Sequence, residues 1–437
     1  MEIPGFVNTI LERLHDAGYE SYIVGGAVRD MCLNRPVSDW DVATAAPRDR
    51  IEAVFGDIRH FSLKHETVTL VTQEGHYEVT GFRGAGGPVR GIEGDLSHRD
   101  FTIDAMAYDP EGKTVLDPYG GRRDLSRRLV RAVGDPRDRF DEDPLRLLRA
   151  VRLATELGFE IEANTLGTIR KMVHRLRSVA CERIRDELMK ILMSGRPSRG
   201  FNLMRRAGLL EPILPELLEG YLRRQNDYHR YTIFKHIMET VDRIEPDPAL
   251  RLTALLHDIA KPRVRTKKEG RYHFYGHEEA SGVLAKEIMK RLKFSNGLID
   301  KVTHLVTRHM GVTGYHSGWS DGAVRRLVRR VGPENMKDLL CLRRADIHAH
   351  GKGHERRLSL LSELQERIDA LTGKERVVRA GDLAIDGNKV MEMLGLNPGP
   401  EVGRVLEALM ERVMEHPEWN TEERLVALLK EDAMKES

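Results

Sequence analysis

Residues 23–44 read IVGGAVRDMCLNRPVSDWDVAT. Tyr22, Ile23 and Val24 predict a strand that runs into Gly25-Gly26, and a helix starts there with Arg29 near its first turn. Glycines let backbone approach a phosphate closely, and a helix N-terminus adds N–H donors and the positive end of its dipole. Arg29 can add a bidentate phosphate contact. Residues 39–44 (DWDVAT) predict a second strand. Strand side chains alternate, so Asp39 and Asp41 would share a face. Two carboxylates side by side repel unless cations bridge them. Two divalent ions about 3.5–4 Å apart, as in two-metal phosphoryl or nucleotidyl transfer, suit that arrangement.

Outward from this stretch, Val7, Ile10, Leu11 and Leu14 recur at helical spacing and Gly18 marks the stop. Pro47 opens a helix. Residues 67–73 and 76–82 flank Glu74-Gly75, a hairpin signal. Gly84, Gly86, Gly87, Gly91 and Gly94 then cluster in what reads as a short loop. From about residue 140 the strand signals stop. Leu145, Leu148, Val151, Leu153 and Leu157 predict a helix ending near Gly158, and helical patterns dominate thereafter. The expected fold class is α+β: a small mixed α/β head, then a long all-α remainder.

The 437 residues suffice for two to four domains. No run approaches 18 apolar residues, so no membrane association is expected. The stretch MEIPGFVNTILERLHDAG lacks a basic start before an apolar run and does not read as a secretory signal. Cys32, Cys181 and Cys341 are odd in number and far apart, which fits a reducing cytoplasm and excludes a CxxC motif. Net charge is only +2, yet residues 170–206 hold eleven Lys/Arg against three acids. That local excess suits a phosphate backbone, or a solvated helix face.

The segment 23–44 resembles the signature of the class II tRNA nucleotidyltransferases and bacterial poly(A) polymerases, a GG-x-VRD followed by a DxD and a Thr. HRDFTIDAMAYD (98–109), LDPYGGRRDL (116–125), RFDEDPLRLLRAVRLATELGFEIE (139–162), ERIRDELMKIL (182–192) and GNKVMEMLGLNPGPEVGRVLEALMERV (387–413) extend the resemblance in order along the chain. It implies a head at 1–138, a helical neck at 139–225 with nucleotide-selecting and RNA-binding helices, a body at 226–370 and a helical tail at 371–437. It implies that Asp39 and Asp41 hold two Mg²⁺, and that Gly25, Gly26 and Arg29 grip a triphosphate. Arg99 and Asp100 would contact the incoming nucleotide. Glu78 would be a third catalytic carboxylate, or a surface strand residue. Asp143 and Arg146 would imitate a complementary base for cytosine and, after adjustment, adenine. Standing three apart on one helix face, both could meet one ligand. One of Arg149 and Arg152 would contact phosphate. The implied partners are tRNA, CTP and, where the terminal A is added, ATP, with no obligate protein partner.

His98 stands where the family usually has Arg, and Asp104 where it usually has Asn. Fifteen residues, GAGGPVRGIEGDLSH, separate Arg83 from Arg99. The family's CCA-adding members usually carry a longer charged loop there, so the short segment resembles the CC-adding branch.

Residues 251–262 read RLTALLHDIAKP. With His236 upstream and His277, His309 and Asp346 downstream, the order His…His-Asp…His…His…Asp resembles the HD phosphohydrolase superfamily. Imidazole and carboxylate suit Mn, Ni, Co or Fe. By resemblance His236, His257, Asp258 and Asp346 are ligands, and His277 and His309 are second-metal ligands or phosphate contacts. The body would then cleave 2′,3′-cyclic phosphates and phosphate monoesters. The reading favoured is a CC-adding tRNA nucleotidyltransferase with HD hydrolase activity. A full CCA-adding enzyme and a poly(A) polymerase are the alternatives, and an HD phosphohydrolase with an RNA-binding head is the reading from another class.

Overall fold

A computed structural model describes residues 3–62, 67–82, 91–225, 230–351, 354–374 and 382–436. The chain folds as two compact units, Met1–Ile213 and Leu214–Ser437.

The first unit opens with α1 (Gly5–Asp16), β1 (Ser21–Val24), α2 (Gly26–Cys32), β2 (Asp41–Thr44) and α3 (Arg48–Val54). There follow β3 (His60–Ser62), β4 (Thr67–Val71), β5 (His76–Gly81), α4 (Gly91–Ser97), β6 (Ala107–Asp109) and β7 (Thr114–Leu116). These seven strands form one sheet in the order β3-β4-β5-β2-β1-β6-β7. Only β2 and β5 pair in parallel within it, with Asp41 opposite Glu78. The motif strand and the third acidic candidate are therefore neighbours at the sheet centre. The apolar face of α4, Ile92 and Leu96, packs with Val24, Ala43 and Ala107 of the sheet.

The strand expected over 39–44 starts only at Asp41, and Asp39 precedes it as exposed, non-strand chain. Trp40 turns inward to 7% exposure, so burial of that ring sets the entry into β2. Gly91 and Gly94, expected in a loop, belong to α4. The rest of the glycine-rich segment, residues 83–90, lies outside the described residues.

Then come α5 (Gly121–Ser126), β8 (Leu129–Val130), α6 (Pro136–Glu142), α7 (Arg146–Leu157), β9 (Glu160–Ile161), α8 (Ala163–Met172), α9 (Cys181–Met193), α10 (Pro197–Ala207) and α11 (Leu210–Ile213). α7 buries Leu148, Val151 and Leu153 and stops at Gly158, which takes φ 71°, a left-handed helix end that glycine accepts without strain.

The second unit is mostly helical: α12 (Pro215–Glu219), α13 (Ile233–Arg243), α14 (Pro248–Leu256) and α15 (Lys261–Val264) lead to a hairpin, β10 (Thr266–Lys268) and β11 (Arg271–His273). α16 (His277–Arg291), α17 (Asn296–Arg308), α18 (Asp321–Val331), α19 (Pro333–Ala349), α20 (Glu355–Lys374), α21 (Gly387–Leu394), α22 (Pro400–Glu415) and α23 (Glu422–Glu436) follow. The expectation that strands end near residue 140 is corrected by β9 and this hairpin. Its strands TKK and RYH are too short and too charged for an alternation signal. Its turn residues Glu269 and Gly270 both have positive φ, 51° and 79°, the geometry of a tight two-residue hairpin. Among the described residues no helix is long and apolar enough to cross a membrane.

Candidate active sites

In the first unit a cavity of about 600 Å³ is lined by Gly25, Gly26, Asp41, Thr67, Arg99, Asp100, Asp104, Asp143, Arg146, Arg149 and Arg183. Gly25 sits where β1 turns into α2, at φ 72° and ψ −134°, backbone that side-chain-bearing residues avoid. A Cβ there would stand 2.7 Å from Arg99 Nη1 and 3.5 Å from Asp41 Oδ2. The missing side chain is what lets the Arg99 guanidinium lie over the turn. Asp95 accepts from Arg99 Nε at 3.1 Å and fixes it there.

Asp41 is pushed up to about 6, first by burial and then by Glu78, with Asp39 adding to it and Arg99 opposing. Like charges crowded onto a buried carboxylate are the condition a divalent cation relieves. Glu78 is exposed and does not line the cavity. Asp39 accepts from Ser38 Oγ at 2.9 Å.

Several expected contacts differ. Arg29 does not line the cavity: it donates to Asp104 Oδ1 at 2.7 Å and to Asp30 at 2.9 and 3.1 Å. Burial opposes its charge, but Asp104 and Asp30 outweigh burial and raise its pKa. The carboxylate at 104 thus serves as the buried counter-ion of Arg29. Asp143 and Arg146 do not share one helix face. α6 ends at Glu142, Asp143 after it is extended at φ −146° and ψ 101°, and α7 begins at Arg146. Pro144 is the cause, because a residue before proline is pushed out of helical geometry. Both side chains nevertheless reach the one cavity.

Asp143 is held by Arg183 of α9 at 2.7 and 3.2 Å. Arg146 donates to Glu142 at 2.6 Å, to the Arg139 carbonyl at 3.1 Å and to the His98 carbonyl at 3.0 Å. Position 98 contributes backbone there, which any residue could supply. Asp100 accepts from Arg149 Nε at 2.7 Å. Burial raises the Asp100 carboxyl, yet Arg149 and Arg146 together lower it below its ordinary value. Arg149 is on the cavity wall. Arg152 is not: it pairs with Glu187 at 2.7 Å and Glu156 at 2.8 Å. Arg183 and Thr67 were missed from sequence. Arg183 lay in plain view within the basic run, but nothing in its spacing pointed to Asp143, forty residues away.

In the second unit all six residues of the His/Asp pattern converge. Asp258 stands between two groups. Its Oδ2 is 3.4 Å from His236 Nε2 and 3.3 Å from His257 Nε2. Its Oδ1 is 3.4 Å from His277 Nε2 and 3.7 Å from His309 Nε2. Asp346 Oδ1 lies 3.0 Å from His236 Nε2 and 3.9 Å from His257 Nε2. Two triads therefore gather donor atoms within 4.8 Å: His236, His257 and Asp346, and Asp258, His277 and His309.

Their tautomers follow from the backbone. His257, His277 and His309 each direct Nδ1 at a carbonyl, of Ala254, Phe274 and Val306, at 2.9, 2.8 and 2.6 Å. Nδ1–H donation leaves the Nε2 lone pair facing the cluster. His277 and His309 then meet Nε2 to Nε2 at 3.2 Å, an approach of two lone pairs that a cation between or beside them relieves. Buried His257 Nε2 and Asp258 Oδ1 have no hydrogen-bond partner. Burial, with His257 adding, pushes His309 down to about 3, so it stays neutral and able to ligate. The donor set fits transition metal ions. Lys261 Nζ approaches Asp258 Oδ2 at 2.6 Å, and Arg343 donates to Asp346 Oδ2 at 2.5 Å. His350, which the sequence pattern did not include, adds its ring beside His236 and Asp346. The cluster floors a cavity of about 460 Å³ whose wall includes Tyr272, Phe274, Tyr275 and Arg357.

Comparison with known proteins places these sites in context. Residues 21–131 match the family described as poly A polymerase head domain, and residues 158–220 the one described as "Probable RNA and SrmB- binding site of polymerase A". Residues 274–429 match tRNA nucleotidyltransferase domain 2. The chain is 34% identical to the A-adding tRNA nucleotidyltransferase of Deinococcus radiodurans over 89% of its own length and 90% of that protein. It is 31% identical to the CCA-adding enzyme of Geobacillus thermodenitrificans over 97% and 95%. The crystal structure of the Bacillus stearothermophilus CCA-adding enzyme in complex with CTP superposes with a TM-score of 0.75 at 28% identity, covering 100% of this chain and 99% of that one.

Proposed function

The chain belongs to the tRNA nucleotidyltransferase family, and from that premise we propose that it builds the CCA end of tRNA from CTP and ATP. The observation that carries this reading is the cavity shared by Gly25, Asp41, Arg99, Asp100, Asp143, Arg146 and Arg149. The expectation of synthesis stopping at CC is not carried forward. It rested on the segment 84–94, part of which belongs to α4, and relatives named CCA-adding enzymes favour the full sequence. Addition of A alone is the second reading, favoured by the Deinococcus relative.

In this reading Asp39 and Asp41 hold two Mg²⁺, with Glu78 beside them. Held there, such ions would supply activation of a hydroxyl nucleophile and neutralisation of charge at the transferred phosphate. Arg99 and Arg149 face the nucleotide's phosphates and ribose together with Asp100. Gly25 and Gly26 let the triphosphate approach the turn. Arg29 acts indirectly, bracing the turn through Asp104. Asp143 accepts from the exocyclic amine of cytosine or adenine, and Arg146 donates to the ring edge. Arg183 must yield Asp143 for this, so base binding competes with an existing ion pair. The division at residues 138, 225 and 370 into head, neck, body and tail belongs to the same reading.

Three tRNA transcripts ending before the CCA, in C and in CC, incubated with CTP and ATP and then sequenced, test it. Completion of all three supports CCA addition. Extension of the CC transcript alone supports A addition, and arrest at CC refutes both.

For the second unit we propose a metal-dependent phosphohydrolase, on the strength of the two donor triads. His236, His257, Asp258 and Asp346, with His277 and His309, would hold Mn, Ni, Co or Fe. Such ions supply an activated water for attack on phosphorus. Lys261 pairs with Asp258 Oδ2, the oxygen that also faces His236 and His257, and Arg343 with Asp346 Oδ2; both line the same cavity, where they can also meet a phosphate. Metal analysis of purified protein and hydrolysis of a 2′,3′-cyclic nucleotide with each metal test this. The absence of both bound metal and turnover would overturn it.

A further inference from the structure

The hairpin beside the His/Asp cavity has no role in the chemistry above. From Arg265 to Tyr275 the chain carries four Lys/Arg against one Glu. The run Tyr272-His273-Phe274-Tyr275 lines the cavity wall, so four consecutive rings lead from β11 to its mouth. Tyr275 is 75% exposed, and its ring lies parallel to that of His273, 9° apart in plane with centroids 5.3 Å apart. The Arg265 guanidinium sits 3.6 Å above the Tyr272 ring. Lys267 and Lys268 are exposed on β10 and are not among the lining residues.

These positions divide the cations by task. Lys261, Arg343 and Arg357 line the cavity, and suffice for one phosphate held over the cluster. Lys267 and Lys268 do not line it, although Lys267 Nζ stands 5.9 Å from the centre of the Tyr272 ring on its wall, so a mononucleotide seated over the His/Asp cluster gains no direct contact with either. Only a ligand that continues outward over the hairpin does. Tyr275 is the one exposed ring of the four, and an exposed aromatic face beside cations is what a base and the phosphates of a single strand bind, by stacking and by charge. An acidic peptide would use the cations but leave the Tyr275 face unmatched.

We propose that β10, β11 and Tyr275 dock the single-stranded 3′ end of an RNA, presenting its terminal phosphate to the His/Asp cluster. This rests on the phosphohydrolase reading for the chemical step and deepens it by naming a polymeric substrate. Hydrolysis of a 3′-phosphate consumes one water. The water oxygen bonds to phosphorus, the P–O3′ bond breaks, and O3′ leaves with a proton as the ribose hydroxyl while inorganic phosphate is released.

The test uses the full chain and an RNA 8-mer bearing a 3′-phosphate and a 4-thiouridine next to the end. Irradiation in EDTA, with crosslinked peptides mapped by mass spectrometry, should mark residues 272–275. In parallel, hydrolysis of the 8-mer and of 3′-CMP with Mn²⁺ is measured for the wild type and for Lys267→Glu/Lys268→Glu. Each phosphate contact to a single strand contributes about 0.7 to the salt slope. The double variant should therefore lower the slope of log KM against log salt by about 1.4 for the 8-mer. Its KM for the 8-mer should rise about tenfold or more at 0.15 M salt, and its KM and kcat for 3′-CMP should not move. Crosslinks confined to residues 1–213, or an unchanged 8-mer KM in the double variant, overturn the docking inference even if 3′-CMP is hydrolysed. So does displacement of the crosslink by polyglutamate but not by poly(U). A crosslink at 272–275 with neither phosphate hydrolysed sustains docking and overturns the hydrolase reading instead.

Discussion

Gly25→Ala tests the geometry of the first cavity at its tightest point. The native residue takes φ 72° and ψ −134°, a region that costs a residue with a side chain about 1–3 kcal/mol. The new methyl would also stand 2.7 Å from Arg99 Nη1 and 3.5 Å from Asp41 Oδ2. Backbone at the β1–α2 junction is tied down, since Gly25 N–H donates to the Met106 carbonyl and Arg29 N–H to the Gly25 carbonyl. The Arg99 guanidinium, held through Nε and Nη2 by Asp95, is the part that must shift. Its displacement removes a charge-assisted contact to the nucleotide, about 1.5–3 kcal/mol, or roughly 10–150-fold in kcat/KM. The assay is incorporation of labelled CTP into tRNA lacking its 3′ end, beside a thermal melt and hydrolysis by the second unit as a folding control. A cycle with Arg99→Ala isolates the cause, because a glycine acting through Arg99 makes the double variant no slower than Arg99→Ala alone. Wild-type CTP incorporation by Gly25→Ala would refute the argument, as would additive losses in the cycle.

Asp41→Asn should abolish nucleotide addition and leave hydrolysis by the second unit intact, as read by the same two assays. It should also change the pH dependence of stability in EDTA. Folding raises the Asp41 pKa to about 6, mainly by burial and next by Glu78, so the folded state favours the protonated acid. That favourable contribution is full below about pH 4 and is lost as pH rises through about 6, up to about 3 kcal/mol. Melting curves for Asp41→Asn should lack this loss. Asp258→Ala should abolish metal-dependent hydrolysis and spare CTP incorporation, since it removes the carboxylate common to both histidine pairs; retained hydrolysis would place the chemistry elsewhere. Arg146→Ala should relax base selection by about 1–3 kcal/mol, measured as the ratio of kcat/KM for CTP and UTP, and an unchanged ratio would assign the template to other residues.

Local order was enough to locate much of this protein. A strand, two glycines and a helix follow from residue types within one turn or strand length of each other. So does the end of α7 at Gly158, where a left-handed residue is required. The order of histidines and aspartates pointed to a cluster through its resemblance to the HD phosphohydrolase superfamily, whose donor types suit a cation. Sequence did not reveal which groups occupy one another. Arg29 was expected to face phosphate and instead neutralises Asp104, seventy-five residues on. Asp143 was expected to share a helix with Arg146, but Pro144 breaks the helix and Arg183 takes the carboxylate. His350 joins the cluster through α19, and the charged strands of the β10–β11 hairpin carry no alternation to betray them. The physical reason is that backbone preference decays over a few residues and can be read along the chain. Ion pairing and desolvation depend on distance through space, and that distance exists only once the helices and sheet have packed.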